Sequence, residues 1–497
     1  MASYDLILVG TSFASSFFLY EYLRGAKPNA KVLVLERGRR RPHSELVQMR
    51  FDLRKIGDRT YRRADKKPWW YAPTFGGTSN MWYGNTPRML PEDFELHSRY
   101  GVGMDWPIRY DDLEPFYCDA EHLMTIAGPS DHSPFPRSRP YLHAAHELSN
   151  PEKLLLERHG DDFYACPTAR ASEAPRPDVK TDRAPCCASF VCNFCPIDAK
   201  FTVQNGLAYL YDDPRVELRL GAVVQSVTSA DGVATGVEWL QEDPELHGQA
   251  EAIKSRKDMS ATAELVALGA NAIFNPHILL RSDLDDGVVG RYLHEQVGVA
   301  GFIHFDGDSP ASEVGGFNGG TSCTGHHYRF ARGELRRERA ATLLETFTRT
   351  WLRIEKGKWR HNMRVTGVIE DIPAAENRVS VDPKDPSKPV THYRSHGAYA
   401  QKAVDSFKQD LEVMFEGLPV EKITAGEPRE SEGHILGTAR MGSDPATSVV
   451  DGDQIHHKLR NLYVLGGSSF TTGAVANPSL TIAALSLRSG RRLFSRP

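Results

Sequence analysis

The sequence predicts a mixed α/β fold, α+β overall, with a Rossmann-like nucleotide-binding domain assembled from discontinuous segments and a second domain that contains an antiparallel sheet. Two observations predict this architecture. Near the N-terminus, a strand, a tight turn, a helix and a second strand follow one another within residues 5–35, as at the start of a βαβ unit. Further along, apolar and polar residues alternate in VTGVIEDIP and NRVSVDP, which indicates antiparallel strands.

The turn of the first unit, VGTSFAS, carries an altered dinucleotide fingerprint. Only Gly10 remains of the three glycines, and Ser12 and Ser15 take the other two positions. Those glycines allow the sharp turn, the approach of a pyrophosphate, and close packing of helix on strand. Glu36 ends the second strand 26 residues after Gly10, near the ~20 usual for the carboxylate that binds a ribose. Taken alone, the pattern fits both a nucleotide site and a plain crossover.

Composition narrows the class of protein. The 497 residues include 60 basic and 64 acidic side chains, for a formal charge of −4, and no basic stripe is present, which argues against nucleic acid as a partner. No apolar run reaches the ~18 residues of a transmembrane helix. The first strand begins almost at Met1, which leaves no room for a signal peptide. We therefore expect a cytoplasmic protein, or a periplasmic one only if a partner subunit exports it.

Two further segments resemble a known family. The first is FGGTSNMWYGNTPR at 75–88, and the second, at 434–488, contains HILGTARMGSDP, NLYVLGGSSF and ANPSLTIAALSLR. Together with the N-terminal turn, they resemble the glucose–methanol–choline (GMC) family of FAD oxidoreductases. The resemblance is strongest to its bacterial FAD sugar dehydrogenases and pyranose oxidases. It implies that the nucleotide is FAD.

The resemblance also implies which residues bind this cofactor. The VGTSFAS turn would lie under the pyrophosphate, Glu36 would bind the adenosine ribose, and the 76–80 backbone would lie against the isoalloxazine. The predicted FAD-binding residues are Gly10, Ser12, Phe13, Ala14, Ser15, Glu36, Arg37, Gly76, Gly77, Ser79, Asn80, Met81, Trp82, Gly467, Pro478, Ser479 and Leu480. Met81 stands where pyranose oxidases carry a histidine that is joined covalently to the flavin. Since a thioether does not readily form that bond, we expect non-covalent FAD.

The catalytic residues implied by the resemblance are His434 and Asn477. A histidine suits removal of the hydroxyl proton, because its pKa is near neutral. The Asn477 amide would hold the substrate oxygen and orient the carbinol hydrogen. Asn477 also precedes Pro478 and an apolar helical pattern, so it equally fits the N-cap of a helix that has proline at its first position. The two roles are compatible.

Four cysteines lie close together in APCCASFVCNFCP. Cys187, Cys192 and Cys195, with Cys186 as an alternative ligand, suit a [3Fe–4S] cluster like that of the family's membrane-linked sugar dehydrogenases. Zinc and reduced structural thiols are the other interpretations. A cluster would pass electrons from the flavin to a partner.

The predicted function is FAD-dependent oxidation of a sugar, glycoside or other secondary alcohol to the carbonyl, by hydride transfer to flavin and with an electron acceptor other than NAD. We expect a small-molecule alcohol or sugar as substrate and an electron-accepting or escort subunit as partner. The alternatives are an oxygen-using oxidase, a flavin-containing lyase of the same family, and a non-catalytic FAD-binding subunit. The expected domains are an FAD-binding domain (1–100, 185–300 and 430–497), a substrate domain (300–430) and a lid or excursion with little regular structure (101–184).

Overall fold

The structure is a computed structural model. It describes residues 2–129, 133–174, 179–181, 183–188, 191–247, 249, 251–306, 323–347, 354–358 and 361–495. Parts of the predicted substrate domain (307–322, 348–353 and 359–360) and of the predicted lid (130–132, 175–178 and 182) lie outside these residues.

Strands and helices are numbered in chain order. The strands are β1 Ser3–Val9, β2 Val32–Glu36, β3 Arg62–Arg63, β4 Ala127–Gly128, β5 His143–Ala144, β6 Phe163–Ala165, β7 Val216–Leu220, β8 Ala222–Ala230, β9 Val233–Gln241, β10 Lys257–Leu268, β11 Val297–Phe305, β12 Cys323–Arg329, β13 Thr342–Phe347, β14 Asn362–Ile369, β15 Arg378–Val381, β16 Pro389–His392, β17 Val420–Pro428 and β18 Leu462–Val464. The helices are α1 Phe13–Gly25, α2 His43–Met49, α3 Asp52–Asp58, α4 Leu96–Tyr100, α5 Tyr110–Met124, α6 Asn150–His159, α7 Val203–Gly206, α8 Glu251–Lys254, α9 Asn271–Leu280, α10 Ala398–Met414 and α11 Ser479–Leu493.

A seven-stranded sheet carries the nucleotide-binding topology. Its order is β7–β2–β1–β10–β9–β8, with β18 also paired to β10. The β7–β2–β1–β10 portion and the β10–β18 pair are parallel, whereas β8, β9 and the first half of β10 are antiparallel. Every residue of β2 is buried, as expected for a parallel strand that is covered on both faces. The strands come from all three segments that we assigned to the FAD-binding domain.

A six-stranded antiparallel sheet forms the second layer, in the order β17–β11–β14–β13–β12–β6. Helix α10 packs on it through Phe407 and Leu411. A Cβ placed at Gly301 would lie 2.3 Å from Leu411 Cδ1, and one at Gly367 would lie 2.4 Å from Phe407 Cε2. These sheet glycines therefore allow the helix to pack closely. The mixed α/β class with an antiparallel second sheet is confirmed.

Residues 101–184 contain more regular structure than expected. They include the helices α5 and α6, and their strand β6 forms the edge of the six-stranded sheet. Burial explains α5, because it places Leu113, Tyr117 and Met124 in the core beside α11. No helix in the described part of the chain is long and apolar enough to cross a membrane.

Candidate active site

Three neighbouring cavities run from the end of the parallel sheet to the second layer. The inner cavity, of about 680 Å³, is lined by the β1–α1 turn, the end of β2 and the start of α9. The middle cavity, of about 720 Å³, follows past the N-termini of α1 and α11. The outer cavity, of about 960 Å³, lies against β13 and β14. Adjacent cavities share walls: Thr78 lines all three, and His434 lines the middle and outer ones.

The β1–α1 turn keeps the geometry of a dinucleotide fingerprint despite its serines. Gly10 has φ +87°, and a Cβ there would lie 2.7 Å from the carbonyl oxygen of Gly269, so the position requires glycine. A Cβ at Gly269 would in turn lie 2.0 Å from Ser15 Oγ, and a Cβ at Gly77 would lie 2.7 Å from Ser12 Cβ. Each serine therefore faces a glycine elsewhere in the chain, and the close approach of backbone segments is preserved.

A hydrogen-bonded chain connects the fingerprint, the acidic residue and the 75–80 turn. Thr11 Oγ1 donates to Glu36 Oε2 at 2.6 Å and accepts from the backbone N–H of Gly76 at 2.9 Å. Glu36 Oε1 also accepts from the N–H of Gly38 at 2.8 Å. Burial raises the pKa of Glu36, and these donors oppose that effect. Glu36 thus lies in the wall of the inner cavity with its orientation fixed.

Lys200, which the sequence analysis did not identify, connects the 76–82 turn to the cysteine-rich segment. Lys200 Nζ donates to the carbonyls of Trp82 at 2.7 Å and Asn193 at 2.8 Å. Burial lowers the pKa of this lysine to about 7. Met81 is buried in a small core with Phe194. The cysteine-rich segment is therefore the support on which the turn rests.

His434 has a defined tautomer. The Gln296 amide donates through Nε2 to the carbonyls of Ala474 at 2.7 Å and Ala476 at 3.1 Å, which fixes its Oε1 as the acceptor facing His434 Nδ1 at 3.1 Å. Nδ1 must then carry the proton, and Nε2 has the free lone pair. Burial lowers the pKa of His434 to about 4, so the ring is neutral near pH 7.

The loop before His434 is organised by one buried carboxylate. Glu295 Oε2 accepts from Ser431 Oγ at 3.1 Å and from the N–H groups of Glu432, Gly433 and His434 at 3.2, 3.1 and 3.3 Å. Its other oxygen forms an ion pair with Lys67 Nζ. Glu295 and Gln296 are adjacent residues at the end of the segment VGRYLHEQ, residues 289–296.

Asn477 does not cap α11. The helix begins at Ser479 with Pro478 as its capping residue, one residue later than the N-cap interpretation requires. Asn477 Oδ1 is buried and has no hydrogen-bond partner among the described residues, and the side chain lines the outer cavity together with His434. An unsatisfied amide beside a candidate base is typical of a ligand-binding position.

Most of the predicted site residues lie along the three cavities. The predicted residues that line them are Gly10, Ser12, Phe13, Ala14, Glu36, Arg37, Gly77, Ser79, Met81, Trp82, His434, Gly467, Asn477, Pro478 and Ser479. Ser15, Gly76, Asn80 and Leu480 instead support the walls; for example, Asn80 Nδ2 donates to the carbonyl of Phe75 at 2.8 Å.

The cysteine prediction finds no support in the described part of the chain, where no group of three His, Cys, Asp or Glu side chains is placed to hold a metal. Cys187 is exposed, whereas Cys192 and Cys195 are only 4% and 7% exposed. Cys195 Sγ accepts from the N–H of Ala199 at 3.3 Å. Both thiols lie near Lys200, the residue that supports the 76–82 turn.

Comparison with known proteins finds similarity to GMC oxidoreductases and to alcohol and sugar dehydrogenases. Residues 373–486 match the family model GMC oxidoreductase. The chain is 27% identical to the fructose dehydrogenase large subunit of Gluconobacter japonicus over 99% of its own length and 98% of that protein. It is 26% identical to 2-methyl-1,2-propanediol dehydrogenase of Mycolicibacterium austroafricanum, over 85% and 80% respectively. The crystal structure of pyridoxine 4-oxidase from Mesorbium loti has a TM-score of 0.64 at 13% identity and covers 99% of both chains.

Residues 373–486 therefore form a GMC oxidoreductase C-terminal domain, as their motifs predicted, and the chain is similar along nearly its whole length to a fructose dehydrogenase large subunit. The protein is an FAD-dependent oxidoreductase that acts on CH–OH donors. Residues of this chain fit FAD. Glu36 lines the inner cavity, where its carboxylate can bind a ribose. Gly10 allows the tight turn beside this cavity, because a side chain there would clash with the carbonyl of Gly269. The N-terminal residues of α1 line the middle cavity, where a helix N-terminus favours a pyrophosphate.

Proposed function

We propose that this protein oxidises a secondary hydroxyl of a sugar or glycoside to the carbonyl and passes the electrons to an acceptor other than NAD. The observation that carries the proposal is the position of His434 and Asn477. His434 is on the wall shared by the middle and outer cavities, and Asn477 lines the outer one beside it. Aromatic side chains and several charged groups line this outer cavity, a composition suited to a polyhydroxylated ligand.

The proton of the hydroxyl would be accepted by His434 Nε2. Gln296 holds Nδ1 in its protonated form, so Nε2 is the basic nitrogen. The pKa of about 4 keeps the ring neutral and ready to accept a proton at physiological pH. After transfer, the imidazolium would share its Nδ1 proton with the same Gln296 oxygen.

Asn477 would position the substrate oxygen. The single hydroxyl proton goes to His434, so Asn477 would hold the substrate oxygen by donating a hydrogen bond from Nδ2. Its Oδ1, which has no protein partner in the described part of the chain, is left to accept from a neighbouring ligand hydroxyl. Fixing this oxygen between His434 and Asn477 directs the carbinol hydrogen toward the middle cavity. When bound there, FAD supplies the acceptor for that hydrogen as hydride.

The test is the rate of flavin reduction in His434→Ala holoenzyme, followed anaerobically with a panel of sugars and alcohols. We expect a loss of roughly 10²- to 10⁴-fold, the usual contribution of a general base, with bound FAD unchanged. The matched control is His97→Ala, since His97 is exposed on α4. A His434 variant that reduces its flavin at the normal rate would refute the assigned base.

Turnover without flavin reduction would indicate a lyase, and activity only with an added subunit would indicate a non-catalytic FAD carrier.

We further propose that FAD is held non-covalently. Met81 is buried against Phe194, and a thioether does not readily form a stable bond to the isoalloxazine. Acid precipitation should leave all yellow colour in the supernatant; flavin that remains with the pellet would contradict this proposal.

We propose a dehydrogenase rather than an oxidase, with an electron-accepting subunit as partner. The support is that the relative similar to this chain over nearly its whole length is named a large subunit and a dehydrogenase. Reduced enzyme should react faster with a quinone or dye acceptor than with oxygen, and rapid peroxide formation would favour the oxidase. The cytoplasmic location is likewise a proposal, to be tested by cell fractionation.

A further inference from the structure

The outer cavity contains more positive charge than a neutral alcohol requires. Arg54 of α3, Arg364 of β14 and Arg429, directly after β17, all line it, against two carboxylates, Glu345 and Glu432. These side chains come from three different elements, α3, β13 and β14, and from the loop between β17 and His434. The balance of charge therefore arises only in the folded protein.

The two carboxylates are already engaged. Glu432 forms an ion pair with Arg429 at 2.8 Å. Glu345 Oε1 accepts from Asn85 Nδ2 at 2.9 Å and lies 3.5 Å from His326 Nε2. Burial raises the pKa of Glu432 to about 7, which weakens its negative charge further.

Arg54 is held in place by aromatic side chains. Its guanidinium stacks over Trp70 at 3.7 Å and over Phe51 at 4.2 Å. Among the described residues it forms no ion pair, and its Nε is buried without a hydrogen-bond partner. Aromatic stacking orients the planar group while leaving its edge free for an acceptor.

The arginines also repel one another. Burial, together with the nearby charge of Arg429, lowers the pKa of Arg54 to about 10. Burial and Arg429 lower the pKa of Arg364 in the same way. An anion bound between these groups would relieve both the desolvation and the repulsion, whereas a neutral hydroxyl would not.

Arg54 and the base line one cavity that reaches solvent. Tyr83, which lines the same cavity, is 44% exposed, and Arg54 is half-buried. His434, also half-buried, lies at the boundary with the middle cavity. A ligand in the outer cavity would thus be lined by both Arg54 and the base.

We infer that the substrate is an anionic alcohol, which presents its hydroxyl to His434 and a carboxylate or phosphate to Arg54, with Arg364 contributing to the same pocket. The inference rests on the proposed function, because it names the substrate class of that site. A guanidinium fork matches the oxygen pairs of carboxylates and phosphates alike, so the pocket specifies a negative charge but does not distinguish a carboxylate from a phosphate.

The experiment measures binding separately from turnover. Glucose, glucuronate and glucose 6-phosphate share one ring and differ in the group at carbon 6. Their dissociation constants are measured by calorimetry on His434→Ala holoprotein at 50 mM NaCl. We expect glucuronate or glucose 6-phosphate to bind at least 10-fold more tightly than glucose, and the tighter of the two identifies the source of the anion.

Variants assign the effect to Arg54. In the His434→Ala background, Arg54→Gln should remove the preference for the anionic sugar, and Arg54→Lys should retain part of it. Arg63→Gln, at an exposed position outside the cavity, should change nothing. The inference is overturned if neither anion binds more tightly than glucose, or if Arg54→Gln keeps the preference. Flavin reduction by wild-type enzyme tests the proposed function independently, since a neutral alcohol that reduces the flavin would support it even if the anion preference is absent.

Discussion

The position of a single proton decides whether His434 can act as a base. The amide of Gln296 is oriented by two backbone carbonyls that it cannot satisfy if flipped. Its oxygen is thereby directed at Nδ1. Gln296 is a positioning residue, which acts on the substrate only through His434.

Replacing this amide should impair the base without removing it. Gln296→Met keeps the length of the side chain but leaves Nδ1 without its acceptor, so the ring is free to adopt the wrong tautomer. We expect flavin reduction to slow by roughly 10- to 100-fold, a part of what general-base catalysis contributes, with KM little changed. Gln401→Met is the control, because Gln401 contacts His396 in a similar way on an exposed surface. Equal rates in both variants would remove Gln296 from the mechanism.

The pH dependence of the same step follows from the environment of His434. Burial lowers its pKa from 6.5 to about 4, so the neutral, basic form persists well below neutrality. Protonation of His434 should therefore slow flavin reduction only as the pH approaches 4, and a change near pH 7 would belong to Glu432 in the same cavity, whose pKa burial raises to about 7. Stopped-flow measurements from pH 8 to 4 check it, and a rate that does not fall as the pH approaches 4 would show that His434 is not the group that titrates.

At the scale of elements, the contact between α1 and the end of β10 replaces a missing fingerprint glycine. Ser15 Oγ donates to the carbonyl of Val9 at 3.0 Å and occupies the space that a side chain at Gly269 would need. The glycine that allows close packing therefore lies after β10, at Gly269, and not in the helix, where Ser15 stands.

A pair of substitutions tests this exchange. Gly269→Ala places its Cβ 2.0 Å from Ser15 Oγ, so we expect weaker FAD binding and a loss of stability of about 1–3 kcal/mol, as for other overpacked positions. Adding Ser15→Gly should restore most of both. Gly426→Ala is the control, because its nearest neighbour is 3.6 Å away. If the double variant is no better than Gly269→Ala alone, the two residues are not coupled.

At the scale of the whole molecule, buried histidines make the fold sensitive to acid. Burial lowers the pKa of several of them to about 4, namely His146, His277, His294, His327, His434 and His456. In the unfolded chain these groups take up protons below pH 6.5, whereas in the folded protein they do so only near pH 4. Their contribution to stability is thus complete above pH 6.5 and is lost as the pH falls toward 4.

The free energy of unfolding should decrease between pH 6.5 and 4 by up to about 1.4 kcal/mol per pH unit for each such histidine. Denaturant melts at several pH values measure this slope. His294→Gln should reduce it by about one proton, whatever its effect on absolute stability, whereas His97→Gln, at an exposed site, should leave it unchanged. A slope equal in all three proteins would contradict the assignment.

The sequence by itself indicated the cofactor turn, because Gly10 after a strand and Glu36 at the end of the next stand at short, fixed spacings, and the resemblance of its motifs to GMC oxidoreductases implied His434 as the candidate base. It also led to the N-cap interpretation of Asn477, since local helix signals are one residue imprecise, and to a metal cluster that finds no support in the described residues. Tertiary structure alone decided that Gly269 accommodates Ser15, that Gln296 selects the tautomer of His434, and that Arg54 faces the same cavity as the base. The physical reason is that these partners are far apart along the chain. The packing of sheets and helices brings them together, and a local sequence pattern does not indicate which distant side chain becomes a neighbour.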